Sequence, residues 1–131
     1  MIISVNRATG LAALFGASGV LLGAFGAHAL KPQLADYGTA PLWQTAVFYQ
    51  LVHALALFVA GGWRSLQGKP LRFLDAVTGC WTLGIAGFSG SLYLLALRGP
   101  RWLGPVTPFG GLAFLAGWLL VLAGVWRKSS D

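Results

Sequence analysis

Four long stretches without a charged residue dominate this sequence. They cover residues 11–30, 42–63, 76–97 and 108–126 of a 131-residue chain. The hydrocarbon core of a bilayer is about 30 Å thick, and a helix of roughly 20 apolar residues crosses it. Each stretch is therefore long enough to span a membrane. The sequence predicts an all-α integral membrane protein, a bundle of four transmembrane helices joined by short loops.

The composition supports this class of protein. Hydrophobic residues make up 56% of the chain and charged residues 9%, whereas about a quarter of the residues in a soluble domain are charged. Because the loops are short, we expect residues 1–131 to form one membrane domain. The first span also imitates a secretory signal, with Arg7 before it and Ala27-His28-Ala29 as a cleavage site. Its apolar run of about 20 residues exceeds the roughly 7–15 of a signal core, which favours a retained helix.

The formal net charge of +6 comes from basic residues in the loops and tails. No basic groove or nucleic-acid motif accompanies them, so nucleic acid is not an expected partner. The positive-inside rule places the more basic side in the cytoplasm, which predicts cytoplasmic termini and a multi-pass protein of the cytoplasmic membrane. This basic rim is expected to attract anionic lipid head groups. The two sides carry Arg7, Arg64, Lys69, Arg72, Arg127 and Lys128 against Lys31, Arg98 and Arg101.

Glycine recurs at steps of three and four residues along the first and third spans. Small residues let helix backbones approach closely in lipid, where no hydrophobic driving force acts between helices. We therefore expect these two spans to be the inner pair of the bundle, although the step from Gly19 to Gly23 also suits a contact between two copies of the protein. The predicted packing residues are Gly16, Gly19, Gly23, Gly26, Gly84, Gly87 and Gly90.

Several short patterns mark the ends of the helices. Lys31-Pro32 is expected to close the first helix, Asp75 to cap the third, and Thr107-Pro108 to begin the fourth. The second and fourth spans end alike, in AGGWR at residues 60–64 and AGVWR at residues 123–127. This similarity suggests two tandem helical hairpins, and chance is the alternative in segments of such biased composition.

Polar side chains gather at the depth of His53, which lies about 15 Å from the end of the second span. An unpaired polar group costs several kcal/mol in hydrocarbon, so we predict that His53 bonds to Ser89, to Ser18 or to both. Such a cluster either holds helices together or relays a proton or solute. The expected polar face of the third span is formed by Thr82, Ala86, Ser89 and Tyr93. The whole candidate cluster is Ser18, Tyr49, Gln50, His53, Ser89 and Tyr93.

A second polar group lies toward the outer ends of the spans and is a candidate outer mouth. It consists of His28, Gln44, Thr45, Ser91 and Thr107. His28 is about 10 Å or more from His53 along the bundle, which disfavours a shared haem or metal site. The spans contain no carboxylate, and no metal-ligand set, catalytic triad or phosphate-binding motif is present. We expect no catalytic residue, metal or cofactor.

The chain resembles a known family through five short segments. They are GAFGAHAL at residues 23–30, WQTA at 43–46, HALAL at 53–57, FSGSLY at 88–93 and LGPVTP at 103–108. These segments, in this order, are similar to the bacterial domain-of-unknown-function family 423. The resemblance implies a small inner-membrane protein with four helices and no established activity. It places the family's recurrent polar positions on His28, Gln44, Thr45, Tyr49, Gln50, His53, Ser89, Ser91, Tyr93 and Thr107.

Two functional hypotheses follow from these observations. The first is a non-catalytic membrane protein that acts as an accessory or scaffold subunit of a larger membrane complex, or that associates with itself as a homo-oligomer. The glycine-lined helices, the short loops and the lack of a catalytic set favour it. The alternative is a permeation or transport protein, in which the cluster around His53 lines a route for a small solute or a proton.

Overall fold

The computed structural model describes residues 6–67 and 71–129, in which helices form almost all of the structure. Lys69 of the basic rim lies outside the described residues. The α-helices are α1 (Arg7–Ala27), α2 (Lys31–Tyr37), α3 (Ala40–Leu66), α4 (Arg72–Gly84), α5 (Gly90–Ala96) and α6 (Val106–Ser129). A π-helical turn, Ile85–Ser89, makes one continuous rod of α4 and α5, and a 3-10 turn, Arg101–Leu103, precedes α6. Four helical rods are long and apolar enough to cross a membrane, which confirms the predicted all-α membrane fold. The first is α1, the second α3, the third α4 with the π turn and α5, and the fourth the 3-10 turn with α6.

The start of α1 is held by a side-chain cap, and its end differs from the prediction. The Asn6 side chain accepts a hydrogen bond from the backbone N–H of Thr9 at 3.1 Å. The helix ends at Ala27, and Pro32 lies in the first turn of the short helix α2. Lys31-Pro32 therefore begins a helix instead of closing one, because proline is tolerated where a helix needs no backbone N–H donor.

Asp75 does not cap the third rod. That rod begins at Arg72, so Asp75 already lies in its first helical turn. Its carboxylate forms an ion pair with the guanidinium of Arg64, near the end of α3. The pair connects two consecutive rods across the loop that joins them. Thr107 does not cap the fourth rod either, because α6 begins at Val106. Pro108, the predicted first helical residue, is therefore the third residue of the helix.

The four rods pack in the order in which they occur along the chain. Helix α1 packs on α3, α3 contacts the π turn and α5, and α4 with the π turn packs on α6. The expectation that the first and third spans form the inner pair is therefore wrong. Glycine spacing identifies a flat helix face, but it does not say which neighbour supplies the large side chains that cover that face.

The glycines of α1 illustrate this packing. A Cβ atom added at Gly19 would lie 2.7 Å from Cδ2 of Leu51, and one added at Gly23 would lie 3.3 Å from Cγ1 of Val47. Both partners belong to α3. Gly16 faces open space, and the nearest atom to Gly90 belongs to its own helix. Large side chains of the second rod thus fill the space above most of the predicted glycines of the first rod.

Both described chain ends lie at one end of the bundle, which we call the termini end. The Asn6 amide donates to the Gly61 carbonyl at 2.8 Å and to the Ser65 hydroxyl at 3.0 Å. Gly124, near the end of α6, faces the Phe73 ring at the start of α4. The apolar core begins at this end, where Leu57, Leu74 and Val77 are buried. In lipid such a core stabilises the bundle through close van der Waals contacts. The hydrophobic effect does not drive the helices together there, because the surrounding lipid is as apolar as the core.

Candidate functional site

A hydrogen-bonded chain joins the first three rods within their apolar spans. The buried Gln50 amide donates to the Ser18 hydroxyl at 2.9 Å and to the Phe15 carbonyl at 3.0 Å. Its carbonyl oxygen accepts from the Tyr93 hydroxyl at 2.7 Å. One side chain of α3 therefore uses both ends of its amide, one toward α1 and the other toward α5. The structure thus brings together three members of the predicted polar cluster.

His53 forms a separate site, surrounded by aromatic rings. Its Nδ1 lies 2.8 Å from the Tyr49 carbonyl oxygen, and its Nε2 lies 3.1 Å from Nε1 of Trp118. A carbonyl only accepts and an indole N–H only donates. These partners assign the proton to Nδ1 and leave Nε2 as an acceptor, which is the pattern of a neutral imidazole. The ring stacks on Phe114 with centroids 3.7 Å apart.

The predicted bonds from His53 to Ser89 and Ser18 are wrong. Ser89 is fully buried, and its hydroxyl donates to the Ala46 carbonyl on α3 at 2.8 Å. His53 instead bonds to a carbonyl one turn earlier in its own helix and to the indole of α6. Trp118 lies in the middle of the fourth span, whereas tryptophan in membrane proteins is enriched at the two membrane boundaries. This unusual position is the sequence signal for the contact.

The π turn divides the expected polar face of the third rod, since Ser89 and Tyr93 bond to α3 whereas Thr82 does not. An α-helix bonds residues four apart, whereas here the N–H of Gly90 bonds to the carbonyl of Ile85, five residues earlier. Such a turn shifts every following side chain around the helix axis. Ala86 is exposed while Ser89 is buried. The straight-helix spacing therefore fails across this turn.

The candidate outer mouth is only partly assembled. The hydroxyls of Ser91 and Thr107 lie 2.6 Å apart and join the third rod to α6. His28, Gln44 and Thr45 are exposed, and none of the three forms a side-chain hydrogen bond within the described part of the chain. Two of the five predicted residues thus pair with each other, and the remaining three do not converge on them.

Two interhelical bonds were absent from the sequence prediction. The Trp43 indole donates to the Leu22 carbonyl at 2.9 Å, and its ring lies over Gly26. The Thr39 hydroxyl donates to the Ala96 carbonyl at 2.7 Å. Thr39 lies just before the second predicted span and Trp43 near its start, and neither position by itself indicates a contact to a backbone carbonyl. Neither carbonyl has a sequence signal, since every residue carries one.

Comparison with known proteins decides the family. The pattern of the protein family described as protein of unknown function, DUF423, matches residues 22–111. The chain belongs to this family. Within the DUF423 protein, the matched segment includes Gln50, His53 and Ser89, and it ends just before Phe114 and Trp118. The resemblance drawn from the sequence is thereby confirmed.

Relatives of this DUF423 protein are membrane proteins in several bacteria. It is 41% identical to a UPF0382 membrane protein of Staphylococcus haemolyticus, over 80% of this chain and 83% of that protein. It is 40% identical to the UPF0382 inner membrane protein YgdD of Escherichia coli, over 88% and 86%. It is also 40% identical to YwdK of Bacillus subtilis, over 77% and 80%. No solved structure matches the chain. Together with its four apolar rods, these relatives identify a multi-pass protein of the inner membrane.

Proposed function

We propose that this DUF423 protein is a non-catalytic structural protein of the inner membrane that associates with a second copy of itself through α1. The observation that carries the proposal is how its intramembrane polar groups are used. Gln50, Tyr93, Ser89 and Trp118 each bond one rod to another. In membrane proteins such bonds stabilise helix contacts by about 0.6 kcal/mol each on average. Polar groups that bond one helix to another in this way have a structural role.

The open side of α1 supports the choice of docking face. In its most apolar window 11% of the residues are buried, against 39% for α3. Small residues recur along the uncovered side of α1, namely Gly10, Ala13, Ala17 and Ala24. A Cβ atom at Gly16 would meet nothing within 4 Å. Small faces are self-complementary because two of them let helix backbones approach closely.

A groove beside this face adds room for a second helix. It has a volume of about 430 Å³ and lies between α1 and α3. Its walls are almost wholly apolar, formed on one side by Gly16 and Val20 and on the other by Leu51, Leu55 and Phe58. Large side chains of a partner helix fit such a groove, since the interface between two copies needs both small and large residues to interdigitate.

Cysteine crosslinking in native membranes tests the proposal. With Cys80→Ser as background, Ala17→Cys places a thiol on the uncovered side of α1, and Ala116→Cys places one on an exposed position of α6 as a matched control. We expect an oxidant to produce a disulfide-linked dimer from the α1 variant alone, and native mass measurement in mild detergent to show a dimer. If oxidation left the same fraction of monomer in Ala17→Cys as in the control Ala116→Cys, self-association through α1 would be contradicted. Proton or solute flux into liposomes that is lost in His53→Ala would contradict the structural role.

A further inference from the structure

A cleft opens at the termini end between α1 and α4, the two rods that the packing order keeps apart. Its volume is about 760 Å³, within the roughly 300–1,000 Å³ of ligand pockets in proteins. The cleft exists because α1 packs on α3 while α4 packs on α6. It is lined by Asn6, Arg7, Ala8, Leu11, Arg64, Asp75, Thr78, Gly79, Thr82 and Leu83.

The lining changes from charged to apolar with depth. Arg7, Arg64 and Asp75 lie near the helix ends at the mouth of the cleft. Trp63 lies next to Arg64, and tryptophan is enriched at membrane boundaries, so we expect this mouth to lie at the membrane surface. Leu83 lies eight residues after Asp75, about 12 Å deeper along the helix. A ligand that fills this cleft therefore carries negative charge at one end and hydrocarbon at the other.

The charges at the mouth leave one cation without a partner. Arg64 forms an ion pair with Asp75. Arg7 is exposed and pairs with no carboxylate in the described part of the chain. The two guanidiniums and one carboxylate sum to a net charge of +1. A guanidinium binds phosphate oxygens through paired N–H donors, so a phosphodiester is the anion that suits this mouth.

The deeper wall also contains an unsatisfied polar group. The Thr82 hydroxyl is buried and has no hydrogen-bond partner among the described residues. A buried hydroxyl without a partner costs about 1–3 kcal/mol, and threonine in a helix can occupy either of two rotamers. An ester oxygen of a ligand in the cleft offers an acceptor to this hydroxyl when the side chain takes its other rotamer.

We propose that the cleft between α1 and α4 binds one anionic phospholipid, with the phosphate at Arg7 and Arg64 and an acyl chain along Leu11 and Leu83. The site is independent of the α1 face proposed for self-association, because Arg7 and Leu11 point toward α4. A phospholipid held there fills the gap between α1 and α4 at the termini end. The bundle then presents a continuous surface to the surrounding lipid.

Native mass spectrometry of delipidated protein tests the site with phosphatidylglycerol as the probe and phosphatidylcholine as the comparison. We expect one phosphatidylglycerol to bind in preference to phosphatidylcholine. Arg7→Gln should weaken phosphatidylglycerol binding about fivefold, the effect of roughly 1 kcal/mol per basic residue near an anionic lipid surface. Asp75→Asn should strengthen it, because the change removes a negative charge and releases Arg64. Arg101→Gln, at the opposite end, is the matched control and should change nothing.

A steric variant separates the cleft from general surface charge. Gly79 lines the cleft, and a Cβ atom there meets nothing within 4 Å, so the leucine side chain of Gly79→Leu takes up space in the cleft and should abolish tight binding. Gly62→Leu adds the same side chain at another open position of this end and should bind as the wild type does. Equal binding of the two lipids, or wild-type affinity in Gly79→Leu, would overturn the proposal. Saturable binding of soluble glycerol 3-phosphate with equal affinity would also overturn it, since the site would then recognise a free phosphate ester.

Discussion

The side-chain amide of Gln50 connects three rods through hydrogen bonds. It bonds to Ser18 and Phe15 of α1 and accepts from Tyr93 of α5. Gln50→Leu removes three bonds of about 0.6 kcal/mol each and leaves the Tyr93 hydroxyl unpaired, so we expect a loss of about 2 kcal/mol of unfolding free energy. Titration with a denaturing detergent in mixed micelles, followed by circular dichroism, measures this loss.

Gln44 provides the control on the same helix. It is exposed and forms no side-chain bond within the described part of the chain, so Gln44→Leu should change stability by less than about 0.5 kcal/mol. The double variant of Gln50→Leu with Tyr93→Phe should cost less than the sum of the single variants, because both remove one shared bond. Additive losses, or equal effects at Gln44 and Gln50, would show that the amide does not tie the rods together.

The contact between α6 and the π turn depends on glycine at Gly110. A methyl group there would lie 2.6 Å from the carbonyl carbon of Gly87, a backbone atom that cannot rotate away. Excess volume in a packed core costs about 1–3 kcal/mol, and a backbone clash belongs at the upper end of that range. Gly110→Ala should therefore lower the unfolding free energy by about 3 kcal/mol and reduce the thermal midpoint in detergent.

Gly62→Ala provides the comparison for this helix contact, at a position outside the α1 face proposed for self-association. The same methyl group at Gly62 enters open space, and alanine favours the helix over glycine by about 0.5–1 kcal/mol. We expect unchanged or slightly raised stability. If both substitutions had the same effect, general helix propensity and not close helix approach would explain the role of glycine in this protein.

The sequence predicted the number of the rods, their helical class and their positions along the chain, because a charge-free stretch of sufficient length has few alternatives in lipid. It did not predict which rods pack together. It also identified Gln50, Tyr93 and Ser89 as polar residues that need partners. The partners themselves were less predictable. Ser89 bonds to a backbone carbonyl, and such acceptors occur at every residue. The register of the third rod changed at a π turn, which periodicity based on a regular α-helix does not contain.

Both described ends of the chain lie at the same end of the bundle, and the distribution of basic residues predicts which side of the membrane this end faces. Asn6 bonds to Gly61, and Gly124 faces Phe73, so α1 begins where α6 ends. The more basic loops and tails share this end, which the positive-inside rule assigns to the cytoplasm. A green fluorescent protein fused to the carboxyl terminus should fluoresce, and alkaline phosphatase fused there should be inactive. Alkaline phosphatase fused after Gly104, in the loop at the opposite end, should be active. An active phosphatase at the carboxyl terminus would reverse the orientation and place the phospholipid cleft in the outer leaflet.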